Sequence, residues 1–341
     1  MTQAHQKIEE WELYLRDRGI QPELVDAYLE YIRPILKNNL PVIFEVEHLS
    51  KYLGVNLKTL NKMAYGTESF YREFTIPKRR GGKRSINAPY PSLRDCQRWI
   101  LDEILEKCAS HYSAQAYTKS KSIITNALPH TNKAALLKID LKDFFPSITI
   151  EWVINFFHGL GYAKNVAFVL ASLCCLEGCL PQGAPTSPKL SNLLLIVLDR
   201  RLYHLSKKYQ ITYTRYADDM AFSGEYIPHR FMEVVKEIIE DFGLIVNEAK
   251  TSLIYGEKKQ KIVTGLGVHG KSISIPRAYK RKLKQELHYI TKFGLISHIS
   301  KKKIRNPNYL MSLEGRVRFW LQIEPNNKFA RTALDYIVSI K

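Results

Sequence analysis

Three aspartates carry the strongest chemical signal in this chain. Asp218 and Asp219 stand side by side in Tyr216-Ala217-Asp218-Asp219, between the apolar stretches Ile211-Thr212-Tyr213 and Met220-Ala221-Phe222. Such flanks ask for burial, and adjacent carboxylates resist it, because like charges repel and both lose hydration. A divalent cation removes that cost. Asp140 closes another apolar stretch, Ala135-Leu136-Leu137-Lys138-Ile139-Asp140. Three carboxylates on neighbouring strand ends form an oxygen donor set suited to Mg²⁺, with Mn²⁺ able to substitute. Two such ions about 3.5–4 Å apart activate a sugar hydroxyl and steady a leaving pyrophosphate. An isolated Asp-Asp pair is more often a solvated turn, so the surrounding elements must decide.

Those elements alternate irregularly. Ile8, Trp11, Leu13 and Leu15, then Leu24, Ala27, Tyr28, Tyr31 and Leu36, give helical spacing near the start. His48–Leu60 reads as helix, turn, helix, a spacing shared by DNA-reading motifs and by ordinary core helix pairs. Phe74–Ala88 predicts a hairpin around Gly81-Gly82. Helices are expected over 93–108, 152–160, 163–176, 187–209 and 230–242, the one at 187 opened by Ser187-Pro188. Short strands flank the Asp218-Asp219 turn, and Ile262–Val268 with Ser272–Ile275 predicts a second hairpin. Strands and helices without strict βα alternation predict an α+β fold rather than a doubly wound sheet.

Longer motifs surround the acids. Tyr216-Ala217-Asp218-Asp219 resembles the Tyr-X-Asp-Asp box of reverse transcriptases. Asp140-Leu141-Lys142-Asp143-Phe144-Phe145-Pro146-Ser147-Ile148 resembles their first acidic box, and Leu180-Pro181-Gln182-Gly183-Ala184-Pro185-Thr186-Ser187-Pro188 the box between. The order is the family's, and the resemblance runs from about Lys78 to Val268. It implies a right-hand polymerase fold: an N-terminal helical region over 1–70, fingers over 71–135, a palm over 136–260, a primer-grip hairpin over 261–275 and a helical basic thumb over 276–341. It implies that Phe145 stacks on the sugar of the incoming nucleotide and rejects a 2′-hydroxyl. Gln182-Gly183 would approach the nucleotide through backbone and amide. Lys78, Arg79, Lys83 and Arg84 resemble the fingers hairpin that closes on a triphosphate; Arg84 is the strongest candidate, since guanidinium grips phosphate bidentately. Asp143 would lie near the triphosphate. Lys250 matches a family lysine able to protonate departing pyrophosphate.

Two shorter motifs point to a subclass. Asn126-Ala127-Leu128-Pro129-His130 looks like the Asn-Ala-X-X-His box of retron reverse transcriptases, and Val263-Thr264-Gly265 like their Val-Thr-Gly box. Ordinary structural explanations exist for each alone, a core histidine and a strand ending at glycine. Together they imply an enzyme that binds a structured non-coding RNA, consumes dNTPs and starts DNA synthesis from a 2′-hydroxyl of that RNA. The product is an RNA–DNA hybrid, multicopy single-stranded DNA. Such systems commonly act in antiphage defence with an effector protein. Asn126, His130, Val263, Thr264 and Gly265 become candidates for RNA or primer contact. A group II intron enzyme, and a scaffold that binds RNA mainly to restrain an effector, are the competing readings.

Charge supports a polyanionic partner. The 341 residues carry a net charge of +18. Lys271–Lys341 holds 16 Lys or Arg against 4 Asp or Glu, and Lys78-Arg79-Arg80-Gly81-Gly82-Lys83-Arg84 forms a second block. Arg277, Lys280, Arg281, Lys282 and Lys284 fall on adjacent turns of one expected helix, spaced for phosphate contact. No run of about 18 apolar residues suggests a membrane span, and no basic-then-apolar leader opens the chain. Cys96, Cys108, Cys174, Cys175 and Cys179 lack paired metal spacing, so reduced thiols in a cytoplasmic protein are expected.

Overall fold

A computed structural model describes residues 3–78, 81–256 and 259–341; Arg79 and Arg80 of the first basic block lie outside them. The chain forms two compact units, each assembled from separated stretches: Met1–Thr118 with Leu141–Leu202 and Val235–Asn247, and Lys119–Asp140 with Tyr203–Val234 and Glu248–Lys341. Among the described residues no helix is long and apolar enough to cross a membrane, and all five cysteines are free thiols.

The first unit is mainly helical. Helix Pro22–Lys37 starts with proline, whose missing N–H costs nothing in a first turn, and buries Val25, Leu29, Ile32, Ile35 and Leu36. Helices Val46–Leu53 and Leu57–Tyr65 form the helix-turn-helix spacing. Gly54, at φ 66°, ends the first, and the Asn56 side chain caps the second at Thr59 N–H. Both pack on helix Lys164–Cys174, and Leu49, Leu60 and Met63 are fully buried, so the pair spends its apolar faces on the core. Strands β1 (Tyr71–Pro77) and β2 (Lys83–Pro89) pair antiparallel in register Phe74 to Ile86. Behind them, buried Gln97 donates to the Tyr71 hydroxyl and the Leu173 carbonyl, both at 2.7 Å.

The expected single helix over 187–209 is two, Ser187–Leu194 and Ile196–Lys208. Leu195, at φ −93° and ψ 11°, leaves the helical region and interrupts the hydrogen-bond ladder.

The second unit holds a four-stranded antiparallel sheet in the order β4-β5-β3-β6, where β3 is Ala135–Asp140, β4 Thr212–Tyr216, β5 Asp219–Gly224 and β6 Ser252–Tyr255. Every β3 residue except Lys138 is buried, as befits a central strand. Strands β7 (Ile262–Val263) and β8 (Leu266–Gly267) follow. This hairpin is tighter than expected. It turns through Thr264 at φ 44° and Gly265 at φ 84°, the left-handed pair of a two-residue turn that matches strand twist. Ser274 then bridges Gly267 on its other side. Helices Arg277–Phe293, Leu295–Lys301, Tyr309–Ile323 and Lys328–Ser339 complete the unit. Their apolar faces, with Leu283, Leu313, Val317, Trp320 and Ile337, share one core with Leu136 and Ala221 of the sheet and with Val263 and Leu266 of the hairpin.

Candidate active site

The register of β3 and β5 sets Asp140 opposite Asp219, and that of β4 and β5 sets Tyr216 opposite Asp219. Only Ala217 and Asp218 make the turn, with Ala217 at φ 58°. Arg215, fully buried, donates to the Ala217 carbonyl at 3.2 Å. A buried guanidinium therefore fixes the turn from beneath. In sequence Arg215 announced itself only as a cation within the strand that leads into the aspartate turn.

Asp140 is 7% exposed, while Asp218 and Asp219 are half-buried. Burial, and then the charges of Asp219 and Asp140, raise the Asp218 carboxyl above its usual range. The Lys250 ammonium donates to both Asp140 oxygens, at 2.9 and 2.8 Å, and this bond raises the lysine's own pKa. Among the described residues no three His, Cys, Asp or Glu side chains are gathered to hold a metal ion as they stand, and Asp140 engages Lys250 instead. The donor chemistry still fits a hard divalent cation. It is oxygen only, its neighbouring carboxylates disfavour one another's charge, and an ammonium already balances one of them.

The two short motifs meet in space. Asn126 Nδ2 donates to Thr264 Oγ1 at 3.3 Å, and Thr264 donates to the Ile123 carbonyl at 3.2 Å. His130 is fully buried between Ser223 Oγ on β5, at 2.7 Å, and Thr214 Oγ1 on β4, at 2.8 Å. Burial first, and then Lys133, depress its pKa to about 3, so the ring is neutral. Asn126, His130 and Val263, expected at an RNA or primer contact, are buried, and their side chains brace the sheet and the turn. Thr264 is half-buried and Gly265 exposed, and of the five they alone present surface.

The remaining nucleotide candidates lie in the first unit. Phe144 enters the core at 6% exposure, whereas Phe145 is half-buried, with ring centroids 5.2 Å apart. Asp143 is exposed at φ 45°, and its carbonyl accepts the Ser147 N–H at 2.9 Å. The Gln182 carbonyl accepts the Asn87 N–H of β2 at 2.9 Å, so the Gln182-Gly183 loop docks on the hairpin. Gly183 is required there: at φ 136°, a Cβ would stand 2.5 Å from the Asn87 carbonyl oxygen. Lys78, Lys83 and Arg84 are exposed around the hairpin tip.

On helix Arg277–Phe293, Arg277, Arg281 and Lys284 are exposed. Lys280 is not available to phosphate in the same way. Its ammonium sits 2.6 Å from Glu324 Oε1 and 5.7 Å from the Trp320 ring centroid. The Glu324 carboxylate also accepts the Ile275 N–H and the Trp320 Nε1–H, both at 2.9 Å. Lys280 thus fastens two helices.

Residues 76–270 match the family described as reverse transcriptase (RNA-dependent DNA polymerase). The chain is 36% identical over 267 residues to the retron Ec86 reverse transcriptase of Escherichia coli, across 76% of this chain and 83% of that protein. It is 35% identical over 291 residues to the retron Mx162 reverse transcriptase of Myxococcus xanthus, across 74% of this chain and 60% of that longer protein. A solved telomerase from Candida albicans, in complex with a TWJ fragment of telomeric RNA, aligns with TM-score 0.44 and 13% identity over 79% of this chain and 63% of that one, too loosely to bear on the site. With Asp140 and Asp219 paired on one sheet and these relatives covering most of its length, the chain belongs to the reverse transcriptases, and among them to the retron enzymes, as an RNA-directed DNA polymerase.

Proposed function

We propose that Asp140, Asp218 and Asp219 hold two Mg²⁺ ions, which Mn²⁺ can replace, and that the enzyme copies a structured partner RNA into multicopy single-stranded DNA. Synthesis begins from a 2′-hydroxyl of that RNA and serves antiphage defence beside an effector protein in the cytoplasm. The strand register that sets Asp140 opposite Asp219, one residue from Asp218, carries this reading. Bound divalent ions would acidify the attacking hydroxyl and neutralise charge on the pyrophosphate. Lys250, already held beside the acids, donates a proton to the departing pyrophosphate. Lys78, Arg84, Asp143, Phe145 and Gln182 bind the incoming dNTP, with Phe145 selecting the deoxy sugar. On this reading 71–135 serves as fingers, 136–260 as palm, 261–275 as primer grip and 276–341 as thumb.

The test is Asp218→Asn/Asp219→Asn. DNA synthesis on RNA is expected to fall below detection while RNA binding, measured by filter retention, stays within about twofold. Full-length DNA from the double variant, or undiminished synthesis in excess chelator, would overturn the metal-site assignment. Sequencing the nucleic acid that purifies with the protein checks the priming step, since a covalent RNA–DNA branch is its unique product.

A further inference from the structure

A pocket of about 350 Å³ opens among the last helices, between Arg277–Phe293, Leu295–Lys301 with its following turn, and Tyr309–Ile323. Two features mark it. The first is charge: Lys282, Lys302 and Arg316 line it against a single carboxylate, Glu286. The second is a row of nearly parallel rings. Tyr289 and His298 lie 6.5 Å apart at 22°, His298 and Tyr309 5.9 Å apart at 25°. Phe293, 55% exposed, continues the row beyond Tyr289 at 6.2 Å and 24°.

The carboxylate organises this wall instead of cancelling it. Glu286 accepts Arg316 Nη2 at 2.7 Å and the Tyr309 hydroxyl at 3.2 Å, and His298 Nε2 meets the same hydroxyl at 3.1 Å. Burial alone would push the Glu286 carboxyl up, but bonding and charge from Arg316 outweigh it and hold it below the usual range. The guanidinium and Tyr309 are therefore placed before any ligand arrives, and a surplus of positive charge remains on Lys282 and Lys302. Such preorganisation lowers the ordering cost of binding.

We propose that this pocket seats one unpaired nucleotide extruded from a loop or bulge of the partner RNA, its base against the ring row at Tyr289 and its phosphate at Lys282, Lys302 and Arg316. Aligned aromatic rings beside clustered cations match a unit that joins a planar ring to an anion. The volume lies at the low end of the roughly 300–1,000 Å³ of small-ligand sites, enough for one nucleotide and too little for a helix. Unpaired bases stack on aromatic side chains, whereas a paired duplex offers none to stack. The sequence-independent thumb charge explains affinity for any RNA; this pocket would add preference for RNAs with an unpaired nucleotide at the right place. The inference rests on the reading that the chain works on a structured RNA.

The test uses the full chain and three probes: an RNA stem–loop with 2-aminopurine in the loop, a fully paired RNA of equal length, and a DNA stem–loop of the same sequence. Fluorescence quenching is expected with the RNA stem–loop, and competition by its unlabelled form to exceed that by the duplex about tenfold. Tyr289→Ala should weaken loop binding roughly 5- to 100-fold and abolish the quenching, Tyr289→Phe should restore both, and Lys302→Glu, at an exposed position, should weaken binding without unfolding. Equal binding of loop and duplex, or unaltered quenching in Tyr289→Ala, overturns the proposal; tighter binding of the DNA loop reassigns the pocket to the product strand and overturns it as an RNA site. Extension of an annealed DNA primer on an RNA template by the wild-type protein is run alongside. Its absence refutes the polymerase reading, and its presence with no loop preference refutes the pocket alone.

Discussion

His130 shows how a residue can belong to a functional motif and still do its work from the interior. Its ring joins β4 to β5 through Thr214 and Ser223, the two strands that present Asp218 and Asp219. Removing it leaves two buried hydroxyls without this partner, at a cost of about 2–4 kcal/mol. The pH dependence carries a clear sign. The folded pKa is depressed to about 3 from an ordinary 6.5, so the unfolded chain takes up the proton first as pH falls. The contribution of His130 is whole above about pH 6.5 and is lost progressively toward pH 3, at about 1.4 kcal/mol per pH unit once the unfolded histidine is protonated. Urea unfolding of wild type and His130→Gln at pH 7.5 and pH 5 should show the wild type losing about 2 kcal/mol more than the variant. Equal losses would mean that the ring is not held neutral in the fold. Arg215 teaches the complementary lesson. Its guanidinium under the Ala217 carbonyl supports the Asp218-Asp219 turn, yet a buried cation looks in sequence like a misplaced surface residue.

At the scale of elements, the loop that carries Gln182 and the hairpin that carries Lys78 and Arg84 behave as one assembly, joined by the Asn87 N–H to Gln182 carbonyl bond. Gly183→Ala would drive a methyl to 2.5 Å from a backbone oxygen, and neither backbone can yield cheaply. A stability loss of about 1–3 kcal/mol is expected, with the dNTP KM rising severalfold and kcat on a saturated template changing less. A variant with unchanged KM would separate the loop from nucleotide binding. The existence and type of most elements were legible in sequence because their periodicities are strong: the helix Pro22–Lys37, the β1–β2 hairpin and the strands around the aspartate turn all appear where the pattern puts them. What escaped was set by local backbone geometry or by distant partners. The break at Leu195 has no glycine or proline to announce it. The tight turn at Thr264-Gly265 places a non-glycine residue at positive φ, which propensity argues against. The acids were readable because three boxes stood in order, whereas the burial of Asn126 and His130 depended on strands far along the chain.

The whole molecule is a strongly basic body, and the fold decides which of its charges are spent internally. In the C-terminal helices three of the four acids are engaged by neighbouring cations: Glu286 by Arg316 at 2.7 Å, Glu324 by Lys280 at 2.6 Å, and Glu314 by Arg318 at 2.8 Å and Lys341 at 3.1 Å. Most of these pairs join separate helices, Glu314 with Arg318 lying within one, while Arg277, Arg281 and Lys284 stay exposed and are the cations proposed for phosphate. The two groups should separate in a salt titration. Each phosphate neutralised releases counterions and contributes about 0.7–0.9 to the slope of log affinity against log salt concentration. Replacing Arg277, Arg281 and Lys284 together with alanine should therefore flatten that slope by about 2–3, similarly for RNAs of unrelated sequence, with little change in Tm. Lys280→Ala should do the reverse, lowering Tm because Glu324 loses a half-buried partner, and leaving the slope nearly as it was. Binding measured at several KCl concentrations, beside thermal unfolding of each variant, distinguishes the two. If Lys280→Ala flattens the slope as strongly as loss of an exposed cation, its ion pair opens to admit phosphate, and the division between cations that hold the fold and cations that hold RNA fails.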